Sequence, residues 1–172
     1  MLVALGDTHR TEDHGLRGRT LEAVRAADVV CHTGDFTTAA VHDAIAAECD
    51  ALCAVLGNND EPGLRSRLDE RAVVDAEGLT VGLVHGHEHS ATALSLFGRE
   101  VGADLVVFGH SHRPGVEVGT GPALLNPGSH ATPRWYRPAY AELERAADGV
   151  SGRLVEPDGT VLERFSLDGR DA

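Results

Sequence analysis

Short apolar runs recur along the first two thirds of the chain, and a polar burst cuts off each one. Met1–Leu5, Asp28–His32, Ala51–Leu56, Leu79–Val84 and Asp104–Phe108 have the length and continuity of buried strands. Helical spacing separates them. Leu16–Ala27 places Leu21 and Val24 on one face and Arg17 and Arg25 on another. Thr37 or Thr38 can cap a helix running through Glu48, with Val41 and Ile45 as its apolar positions. Pro62–Asp69 suits a short helix with Pro in its first turn. Val73–Val74 pairs with Leu79–Val84 across Glu77-Gly78, and Ser90 can cap a helix through Val101.

After Gly109 the texture changes to short alternating runs: Gly115–Gly119, Ala123–Asn126, Ala139–Glu144, Val150–Glu156 and Val161–Ser166. Turn signals divide them, Pro157-Asp158-Gly159 being the clearest. The pattern predicts an α/β (α+β) fold in which strand and helix alternate first and mostly antiparallel strands follow. Two packed sheets flanked by helices satisfy it. No linker, repeat or low-complexity tract interrupts residues 1–172, so they read as a single domain.

Composition narrows the class. Aromatics are only 4%, so Ala, Val and Leu must build the core. The net charge is −12, from 27 acidic and 15 basic residues, and every basic residue is Arg. High acidity without Lys is what cytoplasmic proteins of salt-accumulating organisms look like. At roughly 1 M salt the Debye length is about 3 Å, and surface carboxylates barely repel one another. A halophilic origin is therefore expected. An acidic surface opposes stable nucleic-acid binding, which needs basic groups, and opposes docking on anionic membranes. It does not exclude phosphate substrates, since bound metal ions dominate the charge of their own site. Cys31, Cys49 and Cys53 are odd in number and form no CxxC, so they read as small buried hydrophobes. Met1–Leu5 is cut short by Asp7 with no basic segment before it, and no apolar run approaches a membrane span. A cytoplasmic location follows as the expectation.

The polar bursts carry the chemistry. They read Asp7-Thr8-His9, Gly34-Asp35, Gly57-Asn58-Asn59-Asp60, His85-Gly86-His87 and Gly109-His110-Ser111-His112. Each stands just past an apolar strand, on the rim where open α/β sheets bind ligands. Asp7 and His9 are two apart, as are His110 and His112, so each pair shares a face of an extended segment. Carboxylate, amide oxygen and imidazole together suit Mn²⁺, Fe²⁺, Zn²⁺, Co²⁺ or Ni²⁺. Spacing alone does not divide the ligands between two ions.

In that order the motifs resemble the calcineurin-like metallophosphoesterase superfamily. The short length and Asn126-Pro127-Gly128-Ser129 resemble its small prokaryotic phosphodiesterase branch. The resemblance runs from Asp7 to Ser129 and implies a four-layer α-β-β-α sandwich of two mixed sheets flanked by helices. It implies that Asp7, His9 and His112 hold one divalent metal, that Asn58, His85 and His110 hold the other, and that Asp35 bridges both. Mn²⁺ is the first expectation for the pair. The reaction implied is hydrolysis of a small phosphodiester by a hydroxide bridging the two metals, with no protein nucleophile. A homodimer is plausible by analogy. Other readings within the superfamily are a phosphomonoesterase, a nuclease for short oligonucleotides, or a non-catalytic scaffold such as the retromer subunit that resembles this family.

One position departs from the wider pattern. Many relatives carry Gly-Asn-His, whose His protonates the leaving group; here Asn59 stands in its place. An amide cannot serve as a proton donor of that kind, so the task passes to water or His87, which otherwise reads as a solvated His. Asn126–Ser129 reads as a tight turn beside the site, structural or supporting a ligand. Arg134, Trp135 and Arg137 flank a phosphate entrance or simply pack. His14, His32, His42 and His130 are left as structural.

Overall fold

The computed structural model describes residues 1–168. Eleven strands and three α-helices follow in the order β1 (Leu2–Leu5), α1 (Gly18–Ala26), β2 (Val29–His32), α2 (Ala39–Ala46), β3 (Leu52–Ala54), β4 (Arg71–Ala76), β5 (Leu79–Val84), α3 (Ala91–Glu100), β6 (Leu105–Phe108), β7 (Gly115–Glu117), β8 (Ala123–Asn126), β9 (Tyr140–Ala146), β10 (Gly149–Val155) and β11 (Val161–Leu167).

The strands divide into two mixed sheets. One has the order β11-β10-β9-β1-β2-β3, the other β4-β5-β6-β8-β7. Within the first, β1, β2 and β3 run parallel, and β9 lies antiparallel on β1. Within the second, β5, β6 and β8 run parallel. Alternation along the strands builds three apolar layers. Leu2, Ala4 and Cys31 face Leu83, Leu105 and Leu125 between the sheets. Val3, Leu5 and Val30 turn the other way onto Val24 of α1 and Val41 and Ile45 of α2. Val84, Val106 and Leu124 receive Leu94 and Phe97 of α3. The result is the expected α-β-β-α sandwich.

Two helix starts are capped as the sequence predicts. Thr38 Oγ1 accepts from the Val41 N–H, and Ser90 Oγ from the Ala93 N–H. One expectation is corrected. Pro62–Asp69 forms only a 3-10 turn, Pro62–Ser66, because Leu64 is its one buried anchor and Gly63 adds backbone entropy. The strands after Gly109 pair mostly antiparallel, as the pattern predicts, and divide between the two sheets. β8 is buried along its whole length and takes a central place parallel to β6, while β9 crosses to the first sheet. There Glu142 of β9 is buried and held by Arg19, Arg153 and Tyr140. This network ties the start of α1 to the sheet.

Candidate metal centre

Five parallel strands end along one rim. Leu5 pairs with His32, His32 with Ala54, and Val84 with Phe108, so the segments leaving β1, β2, β3, β5 and β6 emerge side by side. They carry Asp7 and His9, Asp35, Asn58, His85, and His110 and His112. The backbone at this rim is strained. Asp7, His9, Asp35, His110 and His112 all sit at left-handed φ between 45° and 69°. Side chains other than Gly rarely adopt that region, and such strain clusters at functional sites. Gly57 is required by close approach: a Cβ there would fall 2.1 Å from the Asp35 N and 2.2 Å from its Oδ1.

The side chains converge. His9 Nε2 lies 3.2 Å from Asp35 Oδ2 and 4.0 Å from Asp7 Oδ1. His112 Nε2 lies 3.7 Å from Asp7 Oδ1, and His85 Nε2 3.4 Å from Asp35 Oδ2. Asn58 Oδ1 sits 2.8 Å from His85 Nε2 and 3.2 Å from His110 Nδ1. The His9 and His112 rings stack with centroids 4.9 Å apart. Asp7, Asp35, His85 and His112 are buried and form a floor; His110 and Asn58 form an exposed rim.

Backbone carbonyls set the tautomers. Thr132 O and Thr33 O can only accept, so the protons of His112 and His85 sit on Nδ1, at 2.5 and 2.8 Å from those oxygens. Both Nε2 lone pairs then point into the cage. At His85 the lone pair meets two further acceptors, Asn58 Oδ1 and Asp35 Oδ2. A cation, either a second ring proton or a metal, reconciles three acceptors at one point. Six buried side-chain polar atoms lack a hydrogen-bond partner among the described residues, and three of them, Asp7 Oδ2, His9 Nε2 and His112 Nε2, belong to this cluster. Ligand atoms of Asp7, His9 and His112 lie within 4.8 Å of one another, as do those of Asp7, Asp35 and His85. Orphaned acceptors in mixed O/N sets fit divalent transition metals.

Electrostatics agree. Burial pushes the Asp7 carboxyl up to about 6, with Asp35 adding to the rise and His85 and His9 opposing it. Burial acts the same way on Asp35, but the close approach of His85 and His9 and the hydrogen bonds from Asn59 override it and hold that carboxyl far below the usual range. Burial alone would lower His85, yet Asp35 raises it. Burial first, then neighbouring charges that include Arg134, holds His110 and His112 below the ordinary imidazole range.

A second set of residues positions the first. Asn59 donates its backbone N–H to Asp35 Oδ1 and its side-chain amide to Oδ2, both at 2.8 Å. Asn126 donates to Gly109 O and Ser111 Oγ, clamping the turn between His110 and His112. Ser129 Oγ donates to Asp7 O at 2.7 Å. The Asn126–Ser129 turn therefore supports the ligands' backbone. His32 accepts from the Gly34 N–H at Nδ1, so Nε2 donates to Thr8 Oγ1. Asp60 went unassigned in the sequence, yet it accepts from the N–H groups of Asp35, Gly57 and Thr37. A carboxylate two residues past Asn58 in a tight turn was its only signal. His87 is exposed, its ring 5.5 Å from that of His85 and 6.1 Å from that of His110. A polar cavity of about 290 Å³ opens beside Asn58 and His85, with Arg65, Arg71 and His87 in its wall. Arg137 does not face the rim; it pairs with Glu156.

Comparison with known proteins agrees with this geometry. Residues 1–148 match the calcineurin-like phosphoesterase superfamily domain. The probable metallophosphoesterase YsnB of Bacillus subtilis is 30% identical over 167 residues, covering 94% of each chain. Among solved structures, a single mutant of Vps29 from Entamoeba histolytica superposes with a TM-score of 0.79 at 22% identity, covering 97% of this chain and 99% of that one. The phosphoesterase YfcE of E. coli gives 0.69 at 19% identity, covering 97% and 99%. The chain thus belongs to the calcineurin-like phosphoesterase superfamily, a family of phosphoric ester hydrolases.

Proposed function

We propose that the chain is a metal-dependent phosphodiesterase for small substrates. In this reading Asp7, His9 and His112 hold one divalent cation, Asn58, His85 and His110 hold a second, and Asp35 serves both. The observation that carries it is the clustering of ligand atoms from Asp7, Asp35, His9, His85 and His112, with three buried polar atoms left unpartnered and the His85 and His112 tautomers fixed by backbone carbonyls. Mn²⁺ is the first choice, with Ni²⁺, Fe²⁺, Zn²⁺ and Co²⁺ sharing the donor preference. When bound, such a pair acidifies water and neutralises charge on the phosphoryl oxygens.

The chain's own groups do the rest. Thr132 O and Thr33 O keep the His112 and His85 lone pairs directed inward. Asn59 fixes both oxygens of Asp35 and has no labile proton to give a leaving group. His87, exposed beside His85 and His110, can donate that proton, as can water. Lack of a dedicated acid favours diesters with good leaving groups over monoesters. The acidic surface disfavours polymeric nucleic acid. A complete donor set favours catalysis over the scaffold reading. No helix among the described residues is long and apolar enough to cross a membrane, and a cytoplasmic enzyme fits the charge. The test uses metal-stripped protein in high salt, with and without Mn²⁺ or Ni²⁺, on bis(4-nitrophenyl) phosphate and 4-nitrophenyl phosphate. Metal-restored hydrolysis favouring the diester is expected. No rate above background with either metal would sink the proposal.

A further inference from the structure

The only Trp of the chain lies outside the core. Trp135 is 93% exposed in a protein whose aromatic content is 4%. A large ring left in water buries none of its apolar surface, and Trp is enriched among the residues that carry binding energy. The backbone that presents it is held at both ends. On one side Thr132 O takes the His112 Nδ1 proton, Thr132 Oγ1 donates to Thr8 O and the Thr132 N–H donates to Ser129 Oγ. On the other side Arg137 forms a two-pronged pair with Glu156. Between them Pro133–Tyr136 closes a turn through the Tyr136 N–H and Pro133 O (3.0 Å), with Arg134 in left-handed backbone at φ 55°. Trp135 lies three steps along the chain from Thr132, at most about 11 Å. A nucleoside monophosphate spans a comparable length. Arg134 is exposed and has no ion-pair partner among the described residues.

We propose that Trp135 is a stacking platform for a nucleobase on one ester arm of the substrate, with Arg134 facing the phosphate between ring and metal centre. This rests on the phosphodiesterase reading and narrows it to short nucleoside phosphodiesters. Stacking asks only for a π-face, so the platform tolerates any base. The turn is preorganised by Thr132 and Arg137, so little ordering opposes binding. The net charge of −12 keeps long polyanions away and leaves mononucleotide-sized diesters as the fitting class.

Two measurements test it. The first compares thymidine 5′-(4-nitrophenyl phosphate) with methyl 4-nitrophenyl phosphate, which share a leaving group. Trp135→Ala is expected to lower kcat/KM about tenfold on the thymidine ester, within the range for one stacked base, and leave the methyl ester unchanged. Trp135→Phe retains most of the advantage and Trp135→Leu loses it. Equal losses on both esters, or none on either, overturn the platform. The second reading needs no turnover. Trp135 is the sole fluorophore excited at the red edge, so thymidine 5′-monophosphate should quench the metal-loaded protein and inorganic phosphate should not. Quenching without hydrolysis of any diester would remove the enzyme reading and keep the platform. Hydrolysis of the methyl ester with no quenching and no thymidine advantage would do the reverse.

Discussion

Asp60 touches no position that a metal would occupy, yet three backbone N–H groups end on its carboxylate, two of them from Asp35 and Gly57 within the strained rim. Each buried donor left unpaired costs about 1–3 kcal/mol. Asp60→Ala should therefore destabilise by about 3 kcal/mol in urea unfolding and release the loop that holds Asp35. Asp60→Asn keeps one acceptor oxygen and should cost less. Equal stability of all three proteins would refute the clamp. His130 offers a pH test. It is buried, donates from Nε2 to His14 O, and leaves Nδ1 without a partner among the described residues. Burial lowers it to about 4, against an ordinary value of 6.5. Between these values the unfolded chain binds the proton and the folded one does not, so stability falls as pH drops through that window. At about 1.4 kcal/mol per pKa unit the loss approaches 3 kcal/mol by pH 4. His130→Gln should flatten that part of the profile; an unchanged slope would show that another group sets it. The donors of the cage were legible in the sequence because each follows an apolar strand. Of the residues holding them, the Asn126–Ser129 turn was legible and the others were not. Asp60 and Thr132 act across long sequence separations through hydrogen bonds that involve the main chain, and such bonds leave little mark on residue spacing.

At the scale of elements, the parallel strands and α3 were readable because burial on both strand faces leaves continuous apolar runs, and caps at Thr38 and Ser90 mark helix starts. The place of β8 was not readable, since a short buried run looks the same in either sheet and in either direction. Packing of α3 turns on a residue that propensity alone would misjudge. Gly98 lies inside the helix, and Ala there should gain about 1 kcal/mol of helix propensity. A Cβ at that position would lie 2.7 Å from Pro122 Cγ and 2.7 Å from Val106 Cγ2. Pro122 is a stiff ring and Val106 is fully buried in β6, so neither can yield without moving the layer. Overpacking of this kind costs about 1–3 kcal/mol, which exceeds the gain. Gly98→Ala should lower the melting temperature; a rise would mean that α3 sits farther from the sheet than it does here.

Over the whole molecule the three apolar layers are built almost wholly from aliphatic side chains, so stability depends on close packing of small residues beneath a heavily acidic surface. Several acids are relieved by Arg: Asp13 by Arg10, Asp43 by Arg67, Glu48 by Arg25, Glu142 by Arg19 and Arg153, and Glu156 by Arg137. With 27 acids against 15 Arg, a net charge of −12 must remain, and mutual repulsion opposes the compact state. Exposed ion pairs contribute about 0–1 kcal/mol each and cannot cancel that field. Screening can: the Debye length falls from about 10 Å at 0.1 M salt to about 3 Å at 1 M. The melting temperature should climb steeply with KCl over that interval and then flatten, because once screening is shorter than the spacing of surface charges further salt adds little. Exclusion of solute from the surface also favours the folded state, and sucrose reproduces exclusion without screening. A rise in KCl that sucrose does not match would assign the effect to carboxylate repulsion. A melting temperature indifferent to KCl would show that the acidic surface carries no adaptation to salt, and the halophilic expectation would fall with it.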